Sequence, residues 1–275
     1  MIEGFKDHIC YLMAKRPHSK DILASYEALV SMVQDLSPSI SCPRIDPELV
    51  MIKQKEGFPL FSREELPLDM ECASEALKRF FIYLMRKQDH LADSFKRATF
   101  DLQKDDTWKR QLYSAILARD MGGVERISRR WGIPDSMLYF LAVTSLKPSL
   151  LAIRQRYGPL IAGGNWEQRY CPLCGSEPYM AYFDKKGKRY LHCELCGTEW
   201  AFPRVKCPFC QNEDQEELGY FEPEEERGLR VYFCRKCSRY IKTVDRRVFE
   251  KEIPLELEYL GTLHLDLLAE KEGFK

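Results

Sequence analysis

The stretch "RYLHCELCGTEWAFPRVKCPFC", Arg189 to Cys210, decides the fold, because it holds two Cys-x-x-Cys pairs, Cys193/Cys196 and Cys207/Cys210. A third pair, Cys171/Cys174, lies upstream in "YCPLCGSEP", and a fourth, Cys234/Cys237, lies downstream in "VYFCRKCSRY". Two thiolates at this spacing grip one ion, since the chain turns tightly between them and the N–H groups of the turn point back at the sulfurs. Two such knuckles supply a tetrahedral four-sulfur site. Between Cys174 and Cys193 lie 18 residues, and between Cys210 and Cys234 lie 23, spacings that suit a ribbon or rubredoxin-type site. The simplest pairing is sequential, with the first four cysteines on one ion and the last four on another; an interleaved pairing is the alternative. Gly175 and Gly197 follow the second cysteine of each knuckle in the first set and can take positive φ. Gln211 and Ser238 stand there in the second set, so its knuckles are expected to be less regular.

Other readings of the cysteines fit poorly. The chain has 275 residues and 11 cysteines, so it is not a small disulfide-stapled scaffold. A thioredoxin-like dithiol needs one reactive pair at a helix N-terminus in a βαβ setting, not four pairs among hairpins. Cys10, Cys42 and Cys72 stand alone and read as buried or incidental thiols. His192, next to Cys193, is superfluous where four sulfurs are available, and His8, His18, His90 and His264 are scattered. Tetrathiolate geometry admits zinc or iron, and the spacing does not choose between them. Four thiolates on a divalent ion leave a formal charge of about −2 and no open position for water, so neither site is expected to act as a hydrolytic centre. Iron there carries one electron; zinc does not. No P-loop, dinucleotide fingerprint or nucleophile elbow is present, and no enzyme activity is expected.

Outward from the cysteines, the chain divides into halves of unlike texture. Residues 1–165 read as a helical domain. In "DILASYEALVSMV" the apolar residues Ile22, Leu23, Tyr26, Leu29, Val30 and Val33 share one helical face, and in "ASEALKRFFIYL" so do Ala73, Ala76, Leu77, Phe80, Phe81 and Leu84. Further helices are expected around Leu112, Ile116 and Leu117, from Asp135 to Leu146, and after Pro148. "PSISCPRIDP" is a loop. "VERISRRWGIPDSMLYFLAV" has helix-turn-helix rhythm, but its second helix opens with Asp135, Ser136, Met137 and Leu138 rather than base-reading side chains; that helix is expected to be buried. "GPLIAGGNWEQ", Gly158 to Gln168, is the expected hinge. Beyond it, "RYLHC", "LRVYFC" and "YIKTV" read as strands of small hairpins. "EPEEER", Glu222 to Arg227, reads as a solvated hairpin tip, and Leu263, Leu267 and Leu268 mark a closing helix. The expected organisation is α+β: a helical domain over 1–165, a first four-cysteine module over 166–203, and a second over 204–275 with a C-terminal helix.

Charge narrows the partners. Lys+Arg and Asp+Glu both number 42, and residues 166–275 are slightly acidic, so a nucleic-acid backbone is not the expected ligand. The longest uncharged apolar run, "MLYFLAVTSL", is far short of the roughly 20 residues that span a membrane. The N-terminal stretch lacks the long apolar core of a secretory signal, and a cytoplasmic location is expected.

"CPLCGSEP", "GKRYLHCELCGTEWAFPRVKCPFC", "CRKCSRYIKT" and the closing "EKEGF" together resemble the FdhE family of formate dehydrogenase accessory proteins, most strongly over residues 171–275. The order and spacing of the four pairs, with "TEW" and an Arg ahead of the third, carry the resemblance; Phe202-Pro203 between Trp200 and Arg204 is a slight departure. The resemblance implies two rubredoxin-like sites associated with iron, with zinc as the alternative occupant. It also implies a protein that assists assembly of a cytoplasmically matured formate dehydrogenase by binding its catalytic subunit. Thr198, Glu199, Trp200 and Arg204 lie in the link between the sites. They either pack one module on the other or contact the client. Self-association is left open. A zinc-ribbon nucleic-acid binder and a rubredoxin-like electron carrier are the alternatives from other classes.

Overall fold

The computed structural model describes residues 4–41, 43–162 and 166–275. Cys42 and residues 163–165 of the expected hinge lie outside the described residues. By contact density the chain forms two compact units, one of Ala28–Ile45 and Phe61–Pro159, the other of Met1–Glu27, Asp46–Leu60 and Leu160–Lys275.

The first unit is helical. It is built from α4 (Met70–Met85), α5 (Ala92–Lys104), α6 (Asp106–Ala118), α7 (Met121–Trp131), α8 (Asp135–Ser145) and most of α9 (Lys147–Ile161). Asp69, Asp105 and Asp120 cap α4, α6 and α7 by accepting from N–H groups of the first turn. The expected face of α4 is the buried one: Ala73, Ala76, Leu77, Phe80 and Phe81 are all inside. Phe81 stacks on Phe95 with ring centroids 5.5 Å apart and meets the edge of Trp131 at 6.1 Å. The expectation that the second helix of the helix-turn-helix stretch is buried needs correcting. In α8, Leu138, Leu141 and Ala142 face the core, while Asp135, Ser136 and Phe140 are exposed, as an amphipathic helix on a core surface requires. Among the described residues no single helix is long and apolar enough to cross a membrane; α8 and α9 pass together only as a bent pair, and their apolar residues Leu138, Leu141, Leu150 and Ile153 are core.

The second unit contains α1 (Phe5–Lys15), the first turns of α2 (Lys20–Ser31), α3 (Pro47–Lys55), a sheet, and α10 (Leu255–Gly261) and α11 (Leu263–Lys271). The sheet strands are β1 (Pro178–Phe183), β2 (Arg189–Cys193), β3 (Glu199–Ala201), β4 (Leu218–Phe221), β5 (Leu229–Cys234) and β6 (Arg239–Asp245). Each four-cysteine stretch makes a three-stranded antiparallel meander, β1-β2-β3 and β4-β5-β6. The meanders join edge to edge where β1 pairs with β6 in parallel, Met180 opposite Lys242 and Phe183 opposite Asp245. The result is one six-stranded sheet in the order β3-β2-β1-β6-β5-β4. Central β6 is buried from Ile241 to Asp245, which suits a strand paired on both sides.

One face of the sheet carries Met180, Tyr182, Leu229, Val231 and Val244 against Leu255, Leu265 and Ala269 of α10 and α11. The closing helix is present, but its expected apolar face is not the buried one. Leu267 and Leu268 are exposed, and Leu265 and Ala269, one turn apart, meet the sheet. The tip at Glu222–Arg227 is solvated at Glu224, Glu225 and Arg227, which are exposed; the half-buried carboxylates are paired, Glu222 with Arg230 and Glu226 with Arg16 and His264.

Candidate metal centres

Each centre is built from two knuckles placed by strand ends. In both meanders the third cysteine, Cys193 or Cys234, is the last residue of the middle strand, opposite Pro178 or Leu218. The knuckles close by the same backbone bonds. Gly175 N–H donates to Cys171 O and Gln211 N–H to Cys207 O, at 2.9 and 3.1 Å; Cys171, Cys193 and Cys207 N–H donate to the carbonyls of Ser176, Thr198 and Asn212 at 2.8–2.9 Å. The residue after each second cysteine is left-handed: Gly175 at φ 71°, Gly197 at 69°, Gln211 at 63° and Ser238 at 54°. The expected irregularity of the second pair of knuckles is therefore absent. The turn that brings two sulfurs together dictates the backbone, and Gln211 and Ser238 accept a conformation that costs them more than it costs Gly.

In the first centre Cys171, Cys174, Cys193 and Cys196 are all buried, with their sulfurs within 4.8 Å of one another. Cys171–Cys196, Cys174–Cys193 and Cys174–Cys196 are each 3.5 Å apart. In the second, Cys207–Cys237 and Cys210–Cys234 are 3.7 Å apart. A tetrahedron with metal–sulfur bonds of about 2.3 Å has edges of roughly 3.8 Å, so both groups fit one ion, and the grouping is the sequential one. His192 belongs to neither; its ring packs on Tyr179.

The surroundings suit thiolates. Leu173 N–H donates to Cys171 Sγ, Leu195 N–H to Cys193 Sγ and Phe209 N–H to Cys207 Sγ, each at 3.4 Å. Ser176 Oγ lies 3.4 Å from Cys174 Sγ and Thr198 Oγ1 3.2 Å from Cys196 Sγ. Burial pushes the Cys171 and Cys193 thiols well up. At Cys174 burial acts the same way, but hydrogen bonds from the other three sulfurs and Ser176 outweigh it and hold that thiol well down. The second centre repeats the pattern. Burial raises Cys207 and pushes Cys237 up to about 12, whereas at Cys210 hydrogen bonds, led by the Asn212 backbone, overcome burial and lower it. The second centre is also more open: Cys210 is exposed and Cys237 half-buried.

The four link residues separate. Thr198 is buried at the first centre, and Trp200 is 4% exposed with its indole N–H donating to Gln168 O at 3.1 Å. Glu199 is exposed and accepts from Tyr182 Oη at 2.7 Å. Arg204 is exposed, with its guanidinium carbon 4.8 Å from the centre of the Phe183 ring. Two of the histidines read as scattered meet: His18 Nε2 is 3.0 Å from His264 Nδ1, and His264 Nε2 reaches Glu226. The two sulfur clusters are the candidate metal groups among the described residues. Ser176 and Arg189 were not singled out from the sequence. For Ser176 the signal was its place two residues after Cys174, matching Thr198 after Cys196; for Arg189 there was none.

Three comparisons place this geometry among known proteins. The family model described as FdhE, central domain, matches residues 170–204. A protein FdhE homolog of Aquifex aeolicus is 29% identical over 257 residues, covering 92% of this chain and 82% of that protein. Protein FdhE of Salmonella paratyphi A is 35% identical over 170 residues, 60% of this chain and 50% of its own length. The match thus spans about half of the Salmonella relative. In fold, the chain resembles the crystal structure of the FdhE protein from Pseudomonas aeruginosa, with a TM-score of 0.71 at 20% identity over 98% of this chain and 91% of that one.

Proposed function

From the similarity of this chain to FdhE proteins, we propose that it belongs to that family, that it is a non-enzymatic accessory protein of a formate dehydrogenase, and that it binds the immature catalytic subunit in the cytoplasm while holding one iron or zinc ion in each four-cysteine group. The observation that carries this reading is the pair of closed four-sulfur groups on one sheet. Cys171, Cys174, Cys193 and Cys196 hold the first ion, and Cys207, Cys210, Cys234 and Cys237 the second. When bound, iron supplies one-electron chemistry and zinc supplies cross-linking of the strand ends. The chain's own part is to aim the N–H groups of Leu173, Leu195 and Phe209 and the hydroxyls of Ser176 and Thr198 at the sulfurs, offsetting their charge. The metal modules over 166–203 and 204–275 fold with their ions.

Arg204 and Glu199, the exposed members of the link, are the client-facing residues in this proposal, and Trp200 supports them from inside. Interfaces favour Arg anchors, and truncating one commonly costs more than about 2 kcal/mol. Arg204→Ala, shown by metal analysis to keep both ions, is expected to lose co-purification with the immature subunit by roughly 30-fold in affinity. Unchanged binding would confine Arg204 to its stack on Phe183. Normal formate oxidation in cells lacking the whole protein would sink the accessory reading itself. The exposure of Cys210 favours one further reading, a rubredoxin-like electron carrier; reversible one-electron reduction of iron-loaded protein by a formate dehydrogenase would support it over assembly.

A further inference from the structure

Arg189 opens β2 of the first meander, yet its side chain lies beside the second sulfur group. It is 2% exposed. Its Nη1 donates to Lys206 O at 3.1 Å and sits 3.5 Å from Arg204 O, both carbonyls of the chain entering Cys207. The rings of Tyr232 and Phe202 lie 5.6 and 6.0 Å from the guanidinium carbon. Nε has no hydrogen-bond partner among the described residues. Among the described residues the titratable groups that act on Arg189 are Tyr232 and Cys207, and no carboxylate is among them.

Arg189 also lines a cavity of about 30 Å³ bounded by Cys207 and Cys234, two sulfurs of the second group, and by Arg204, Lys206 and Arg239, with no acidic side chain in its wall. Lys206 is neutralised by Glu213 and Arg239 by Glu177. Among the described residues Arg189 has no such partner. Burial lowers its pKa to about 10, so it remains a cation at neutral pH. A buried cation without a counter-charge is strongly destabilising, and so is a buried anion. Four thiolates on a divalent ion carry a formal charge of about −2, and Cys207 puts part of that charge next to Arg189.

We propose that Arg189, though not a ligand, is the counter-charge of the second metal centre, supplied by the first meander, and that it sets that centre's preference for a divalent over a trivalent ion. The proposal rests on the reading of Cys207, Cys210, Cys234 and Cys237 as metal ligands. A centre of formal charge about −2 gains more from a neighbouring cation than one of about −1, which is what a trivalent ion leaves on the same four thiolates. Arg189 is a positioning residue through its bond to Lys206 O, and an electrostatic one through its charge. Removing both functions is distinguishable from removing either.

The test uses full-length wild type, Arg189→Met, Arg189→Gln and Arg189→Lys. Zinc and gallium(III) affinities are measured by chelator competition, and the two centres are told apart by cadmium NMR. Arg189→Met is expected to weaken zinc at the second centre by about 10- to 100-fold, the range typical of outer-shell partners, and to weaken gallium less. The first centre should change by less than about twofold, and Arg189→Lys should restore most of the zinc affinity. In iron-loaded protein the midpoint potential of the second centre should fall, since losing a nearby cation disfavours the more negative ferrous form. Arg189→Gln, which keeps a donor for the carbonyl without the charge, should behave like Arg189→Met, and it replaces that variant if Met prevents folding. Equal losses for zinc and gallium, or full rescue by Gln, would make Arg189 a packing residue and overturn the proposal, as would unchanged zinc affinity. A wild-type second centre that takes no metal at all would instead overturn the ligand reading on which the proposal rests.

Discussion

Gln211 and Ser238 show how a metal knuckle is specified at the scale of one residue. Both are held at positive φ, a region in which a side chain strains the backbone and Gly does not. The geometry of two sulfurs converging on one point is the stronger demand. Replacing Ser238 by Gly should therefore raise the stability of the metal-loaded protein by about 1 kcal/mol, read as an upward shift of the thermal midpoint with metal content unchanged. A downward shift would mean that the Ser238 side chain contributes more than the strain it introduces. Trp200 teaches the opposite lesson. Its type suits an interface anchor, but its indole N–H is spent on Gln168 O inside the unit, so Trp200→Ala would report on folding before it reported on a partner.

At the scale of elements, Lys242 ties β6 to the junction of α10 and α11. Its Nζ donates to Tyr259 O, Thr262 O and Asp266 Oδ2 at 3.1, 3.2 and 2.7 Å. These carbonyls end α10, where a cation is favoured. Burial nevertheless lowers the pKa of Lys242 to about 8, with Asp266 pulling the other way. In the unfolded chain the same group holds its proton to about 10.4. Between these values the unfolded state binds more protons, so the Lys242 contribution makes stability rise as pH increases from about 8 to about 10. Urea midpoints across that window should rise more steeply in wild type than in Lys242→Met. Parallel slopes would show that the three acceptors hold the ammonium near its ordinary value. The N-terminal helix is bound into the same unit by a second charged contact, Arg16 to Glu258 at 2.8 Å, with both side chains nearly inaccessible.

At the scale of the whole molecule, the two meanders repeat one plan with unequal shielding. All four cysteines of the first centre are buried, whereas the second exposes Cys210 and half-exposes Cys237. An ion leaves a thiolate centre through ligands that water and competing chelators can reach, and low-pKa exposed thiols are the reactive ones. A strong chelator is therefore expected to strip the second centre at least about tenfold faster than the first. Timed alkylation with mass spectrometry should find Cys210 modified ahead of Cys171, Cys174, Cys193 and Cys196. Simultaneous release from both centres would mean that the shared sheet, not ligand exposure, governs metal loss. The β1–β6 pairing makes that outcome a meaningful alternative, because it joins the centres through continuous backbone hydrogen bonds.

What the sequence by itself determined was local. Cys-x-x-Cys spacing sets a turn of a few residues, so the knuckles and the N–H groups aimed at sulfur were legible at Cys171 through Cys237, whereas the sequential grouping was only the simpler of two pairings until the structure brought the sulfurs together. Short runs such as "RYLHC" and "LRVYFC" announced β2 and β5, and the face of α4 was readable from its period. The tertiary structure alone decided which residues met across long separations. The parallel register of β1 on β6, Arg189 beneath the second centre, His18 against His264, and Leu265 rather than Leu267 on the sheet are all of this kind. So is α3, whose nine residues carry only one buried apolar side chain, Val50, too weak a period to announce a helix. Periodicity reports the side of an element that seeks burial, and spacing reports what a short turn can bring together. Neither encodes which distant surface will supply the contact, because that depends on backbone hydrogen bonding and packing between segments with no shared local pattern.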